Sequence, residues 1–393
     1  MGATFAAGPS QGERTPSGGS AVHEVTSVGA VVHPKLMQRI RQDVQSMHAY
    51  AIQDSAGMVK LDAMENPFGL PPDLQAKLGL RLGALALNRY PDGRVNDLRA
   101  ALAAYAGMPE GFDIMLGNGS DELISLLAMA CDVPGASILA PTPGFVMYAM
   151  SAKLQGLAFH GVPLTPDFEL DVVAMLGVIA RHKPSITYLA YPNNPSANLW
   201  NETAIAKVIA AAGEHGGLVV MDEAYQPFAS HSYLDKIRAN PAAHSHVLLM
   251  RTLSKFGLAG VRLGYMMGPK ALIAEIDKVR PPYNISVLNY ECALFALEHV
   301  DVFAAQAAEI KAQRAIILEA LSNLPGVRAW DSQANMILVR VPDAQKTFDG
   351  MKARKVLVKN VSKMHPLLAN CLRLTVGTAD ENRQMLAALK ESL

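Results

Sequence analysis

The chain has 393 residues, half of them apolar, which is long enough for two domains and a large core. Lys plus Arg and Asp plus Glu both number 35, so the balance offers no basic footprint for nucleic acid. Three widely spaced cysteines (Cys131, Cys292, Cys371) without a Cys-x-x-Cys speak against a disulfide framework or a thiolate zinc site, and no apolar run reaches the about 18 residues of a membrane span.

Residues 1–33 are rich in Gly, Ser, Thr and Pro and lack the apolar core of a signal peptide; they read as a disordered N-terminal extension. An amphipathic helix is expected at 34–48, inside an N-terminal arm (34–66) that packs with a small domain. A short strand follows around 57–63, then the bend NPFGLPP. Helices over 72–83 and 94–106 lead to the turn GNGS at 117–120. Apolar strands then alternate with helices: 137–140, 157–162, 186–191, 218–223, 246–251 and 261–267. Short β-branched runs separated by helices predict an α/β domain (67–286) with a mostly parallel central sheet covered on both faces. From 287 a long Ala-rich helical region, to 323, precedes strands MILVRV, VLVKNV and CLRLTV, a smaller α+β C-terminal domain (287–393).

Ligands of open α/β sheets gather at the carboxyl ends of strands. There the sequence places Asn193 and Asn194, then Asp222 and Tyr225, then Ser254 and Lys255, while GNGSDE opens a helix at Ser120. Each has a plain reading: a turn amide, a helix N-cap, a packed tyrosine, a snorkelling lysine. One small ligand explains them together. Asp222 suits a protonated ring nitrogen, Asn194 and Tyr225 suit a ring oxygen, and the Ser120/Asp121 turn with Ser254 and Arg262 suits a phosphate. Lys255, desolvated and so partly deprotonated, suits an aldehyde. The ligand is a phosphorylated pyridine aldehyde.

DEAY (222–225), TLSK (252–255), GLAGVRLGY and PNNP together resemble the fold type I aminotransferases that use pyridoxal 5′-phosphate (PLP), over about residues 50–390. The resemblance implies that Lys255 is the Schiff-base lysine, that Asp222 pairs with the pyridine nitrogen, and that Phe145 stacks on the ring. Asn194 and Tyr225 would surround the ring hydroxyl; Ser120, Asp121, Ser254 and Arg262 would hold the phosphate. MENPFG (64–69), RYPDG (89–93), GNGSDELI (117–124), PPYNISVLN (281–289) and CLRLTVGT (371–378) are most similar to the histidinol-phosphate aminotransferase family. That family implies transamination of L-histidinol phosphate with 2-oxoglutarate in histidine biosynthesis, and a cytoplasmic homodimer in which Tyr90 reaches the neighbouring subunit's cofactor. It further implies a substrate pocket of Tyr50, Asn66, Tyr90, Lys359 and Arg373, the last receiving the carboxylate of glutamate or 2-oxoglutarate.

Two positions depart from the family pattern. Lys359 stands where arginine is usual, keeping a charge but losing the bidentate fork. Ala197 stands where glycine is usual, and alanine is less free to take a positive φ. The alternatives are an aromatic amino-acid aminotransferase, or a PLP decarboxylase of a phosphorylated amino acid. A metal enzyme is not expected, because no His-x-x-x-His is present. GNGSDE also breaks the Gly-x-Gly-x-x-Gly pattern of a dinucleotide site at Glu122.

Overall fold

Runs such as Val-Leu-Leu-Met carry apolar side chains on both faces, so they are stable only where a sheet is covered on both sides. The computed structural model, which describes residues 34–47 and 53–393, uses them in that way. Strands are β1 (Val59–Lys60), β2 (Phe112–Gly117), β3 (Ser137–Thr142), β4 (Ala158–Pro163), β5 (Ile186–Ala190), β6 (Leu218–Asp222) and β7 (Val247–Thr252). They continue with β8 (Gly264–Pro269), β9 (Arg328–Ala329), β10 (Met336–Arg340), β11 (Val356–Leu357), β12 (Lys359–Asn360) and β13 (Cys371–Thr375).

The central sheet has the order β2-β8-β7-β6-β5-β3-β4. Pairings from β4 through β3, β5 and β6 to β7 are parallel, whereas β8 is antiparallel to both β7 and β2. The register sets Ala190 opposite Asp222 and Asp222 opposite Met250, so the carboxyl ends of β5, β6 and β7 meet at one edge. One face is covered by a cluster containing Leu189, Met221, Leu249 and Met267; the other by one containing Tyr188, Val220, Leu248 and Met266. This alternation along each strand is the period of two expected of a sheet buried on both sides.

The smaller sheet runs β12-β13-β10-β9, all antiparallel, with its own core around Met336, Ile337 and Leu374. Residues 59–65 lie beside it: β1 pairs with β11 in a separate two-stranded sheet, the Thr375 N–H of β13 donates to the Leu61 carbonyl at 3.2 Å, and Asn335 donates to the Met64 carbonyl at 3.0 Å.

The structure differs from expectation at three places and divides one expected helical region in two. The helix expected over 34–48, in a unit of its own, is two short helices, Pro34–Met37 and Gln42–Gln45. The Gln45 amide takes the carbonyls of Met37 and Ile40 at 2.8 and 2.7 Å, groups that a continuous helix would give to its own N–H donors. The segment 356–361 is not one strand; it divides at Val358 between β1 on one side and β13 on the other. The helical region 287–323 breaks at His299 into Val287–Leu297 and Val300–Ser322. The first of these buries Tyr290, Ala293 and Ala296 in the central-sheet core, and Glu291 receives Arg81 and Arg94 from the helices before and after residues 84–93. Finally, β2 was not expected, because Asp113 interrupts its apolar run; that carboxylate is met by Arg99 at 2.7 Å.

Candidate active site

Lys255 follows β7 in a short helical turn, Ser254–Leu258, that is kinked at Gly257, whose φ is 145°. A Cβ on Gly257 would stand 2.8 Å from the Phe303 ring and 3.1 Å from the Asn66 amide, so only glycine lets this turn close. The Lys255 amine donates to the Ala63 carbonyl at 2.9 Å. Burial lowers its pKa to about 8, and the nearby cations Arg373 and Arg262 push in the same direction.

Asp222 ends β6, fully enclosed. Burial pushes its carboxyl up to about 6, against the hydrogen bonds that favour the anion: the Tyr148 hydroxyl at 2.6 Å and the Ala224 N–H at 3.1 Å. Both partners are neutral donors. A buried carboxylate held this way suits a cationic ligand atom.

At the third strand end, Arg373 of β13 donates to Asn194 Oδ1 at 2.8 Å and to the Asp62 carbonyl at 2.8 Å. That bond fixes the amide, so Asn194 Nδ2 donates to the Tyr225 oxygen at 3.0 Å. Burial raises the Tyr225 pKa and keeps the phenol protonated.

The opposite end of the cavity is built for an anion. The helix Ser120–Ala130 starts after Gly119 with no side-chain cap, leaving first-turn N–H groups for a ligand. Gly119 has φ 84°, and a Cβ there would stand 2.8 Å from Arg262 Nη2. A Cβ on Gly264 would stand 2.7 Å from the Ser120 nitrogen. Both glycines are therefore required for the turn to reach β8. Arg262, itself in the left-handed region at φ 56°, lies 3.3 Å from Ser254 Oγ and 3.4 Å from Asp121 Oδ2. Such a strained conformation persists only where surrounding structure enforces it.

Ser120, Asp121, Phe145, Asn194, Asp222, Tyr225, Ser254, Lys255 and Arg262 all line one cavity. The residues expected to bind substrate are placed differently. Lys359 is half-buried and directly opposite Arg373 across β12 and β13. Asn66 donates to the Phe256 carbonyl and to Gln306 at 3.2 and 2.9 Å; it braces the turn after Lys255 and does not line the cavity. Tyr90 is largely exposed and stacked on Tyr283 at 4.6 Å, and it is not among the residues that line this cavity. Tyr50 lies outside the described residues. Sequence reasoning passed over Met64, Thr252 and Tyr148, which also line the cavity. Tyr148 stands three residues after Phe145, and i, i+3 spacing at a helix start could have shown that both face one way.

No group of three or more His, Cys, Asp or Glu side chains able to hold a metal occurs among the described residues. No helix among them is long and apolar enough to cross a membrane.

A family model described as aminotransferase class I and II matches residues 56–389. A histidinol-phosphate aminotransferase of Polaromonas naphthalenivorans is 76% identical over 94% of this chain and 100% of its own. One from Methylibium petroleiphilum is 69% identical over 92% of this chain and 96% of its own. Among solved structures, histidinol-phosphate aminotransferase from Sinorhizobium meliloti in complex with pyridoxal-5′-phosphate superposes with a TM-score of 0.76 at 23% identity, over 90% of this chain and 97% of that one, a likeness of fold.

Proposed function

The chain belongs to the class I and II aminotransferases, and we propose that it transfers the amino group of L-histidinol phosphate to 2-oxoglutarate, with PLP as cofactor. The observation that carries this reading is the convergence of Lys255, Asp222, the Asn194–Tyr225 pair and the uncapped helix at Ser120 on one cavity. The near-full-length relatives at 76% and 69% identity bear the name of this activity, so the aromatic-amino-acid and decarboxylase alternatives are not favoured.

The donor set fits PLP atom by atom. Asp222 would meet the ring nitrogen, Asn194 and Tyr225 the ring oxygen, and Phe145 one face of the ring. The first-turn N–H groups of Ser120 and Asp121, with Ser254 and Arg262, would hold the phosphate. When bound, PLP supplies an electron sink for the substrate's Cα. The chain supplies the proton movements and the orientation. Lys255, with a pKa of about 8, is partly neutral near neutrality and can take the proton from Cα and deliver it to C4′. Asp222, ionised above about pH 6, holds a proton on the ring nitrogen. Arg373, already anchored to Asn194, would receive the carboxylate of glutamate or 2-oxoglutarate, and Lys359 the phosphate of histidinol phosphate.

In this reading the enzyme is a homodimer in which Tyr90, exposed and stacked on Tyr283, reaches the partner's cofactor phosphate. A cytoplasmic setting agrees with three free cysteines. The test is an absorbance spectrum of the purified protein. The cofactor's visible band should disappear with histidinol phosphate alone and return with 2-oxoglutarate. A band indifferent to histidinol phosphate would refute the substrate, and no band after reconstitution would refute the cofactor.

A further inference from the structure

Asp222 has one side-chain partner that the roles assigned above do not use. Tyr148, in the helix Met147–Gln155, is buried, and its hydroxyl donates to Asp222 Oδ2 at 2.6 Å while the Ala224 N–H takes Oδ1. Its ring is held on two sides. Tyr188 of β5 stacks on it at 4.2 Å with 7° between planes, and Phe145 meets it edge-on at 5.6 Å. A ring clamped this way presents its hydroxyl in one direction only.

We propose that Tyr148 is a positioning residue for the reaction: it acts through Asp222, fixing the plane of the carboxylate and favouring its ionised form opposite the cofactor's ring nitrogen. The proposal rests on the cavity being a PLP site. The surroundings of Asp222 make such a donor necessary. Asp121 from the helix Ser120–Ala130 and the adjacent Glu223 repel its charge; Tyr188 and Tyr225 are protonated phenols; Lys255 lines the same cavity from the end of β7. Against burial and those carboxylates stand two hydrogen bonds, and the one from Tyr148 is the one a side-chain substitution can remove.

Tyr188 supplies the control within the same stack. It is as buried as Tyr148 and stacked on it, but its hydroxyl meets no hydrogen-bond partner among the described residues. Removing either hydroxyl deletes one oxygen from the same aromatic pair; only one deletion touches Asp222.

The experiment compares wild type, Tyr148→Phe and Tyr188→Phe by equilibrium dialysis of PLP between about pH 5 and 9, together with the acid limb of kcat/KM. Loss of one hydrogen bond to a charged group corresponds to roughly one to two pH units, or about ten- to a hundredfold. Tyr148→Phe should move the acid limb upward by that amount and weaken PLP retention near pH 6 by about that factor, with the gap narrowing as Asp222 ionises at higher pH. Tyr188→Phe should leave both unchanged, and Tyr148→His, which restores a ring N–H donor, should recover part of the shift even if Tyr148→Phe folds poorly. Equal shifts in the two phenylalanine variants, or none in either, overturn the proposal. Wild-type protein that takes up no PLP overturns the cofactor reading and this proposal with it.

Discussion

Lys359 and Arg373 are direct partners across the antiparallel pair β12 and β13, so their side chains leave the same face of the small sheet. Two cations so placed repel each other, and an anion that visits them relieves the repulsion. Arg373 is anchored to Asn194 and the Asp62 carbonyl; Lys359 is the more exposed of the two. Lys359→Ala should therefore raise KM for histidinol phosphate by roughly ten- to a hundredfold, about 1.5–3 kcal/mol for a charge-assisted contact. KM for glutamate should change far less. Lys359→Arg should keep or lower the wild-type KM, since the fork can bind phosphate bidentately. Steady-state kinetics with both amine donors decide it; an alanine variant with unchanged histidinol-phosphate kinetics removes Lys359 from the pocket.

Burial of Lys255 carries a stability cost that depends on pH. Its folded pKa of about 8 lies below its ordinary value of 10.5, so between those pH values the unfolded chain binds more protons than the folded one and stability rises with pH. The cost is fully present below about pH 8 and fades toward pH 10.5. In cofactor-free protein, Lys255→Met should stabilise the fold by about 3 kcal/mol at neutral pH and by much less near pH 10. Urea midpoints of the two proteins at both pH values test this. A constant difference would mean that packing, not charge, separates them. The same variant should have no transaminase activity.

Ala197 does what its side chain resists. It sits at φ 63°, fully buried against the small-sheet core, and its carbonyl accepts from the Gln333 N–H at 2.7 Å. A left-handed alanine is strained by about 1–2 kcal/mol. Ala197→Gly removes that strain but also loses a buried methyl worth about 0.8 kcal/mol and adds unfolded-state freedom worth about 0.4–1 kcal/mol. The net change in stability should be within about 1 kcal/mol, with activity intact because the Asn194 amide is untouched. Thermal unfolding checks the first and kcat the second. A loss beyond about 2 kcal/mol would show that the methyl is essential to packing.

The residues that interrupt apolar strands were the legible ones. Asp222 and Lys255 stand out because an ionisable group at a buried strand end needs a reason. Tyr148 was not legible, because a tyrosine inside a helix reads as core until its hydroxyl's target is known. Strand direction was only partly legible. The connection 253–263 is shorter than the dozen or more residues a parallel crossover needs, which signals that β8 must run antiparallel to β7. The partners of Asn66 were not legible either: its amide donates to the Phe256 carbonyl and to Gln306, far away in the chain. Long-range claims of that kind leave no mark in local sequence.

The proposed homodimer, with Tyr90 reaching the neighbouring subunit's site, can be tested by mixing two variants. The Tyr90 loop joins the helices Pro72–Gly83 and Arg94–Ala106, and the buried carboxylate of Glu291 accepts from Arg81 on the first and Arg94 on the second. The loop is thus fastened at both ends while Tyr90 and Leu87 remain exposed. Tyr90→Ala should weaken PLP retention and activity by roughly tenfold or more, as expected for one lost contact to a phosphate. Lys255→Ala should be inactive. Unfolding and refolding the two variants together gives mixed dimers in which one site has both its own Lys255 and the partner's intact tyrosine. Activity should then rise above the sum of the two parents, toward about a quarter of wild type for random pairing of a symmetric dimer. If mixing gives only the average of the parents, Tyr90 serves its own chain.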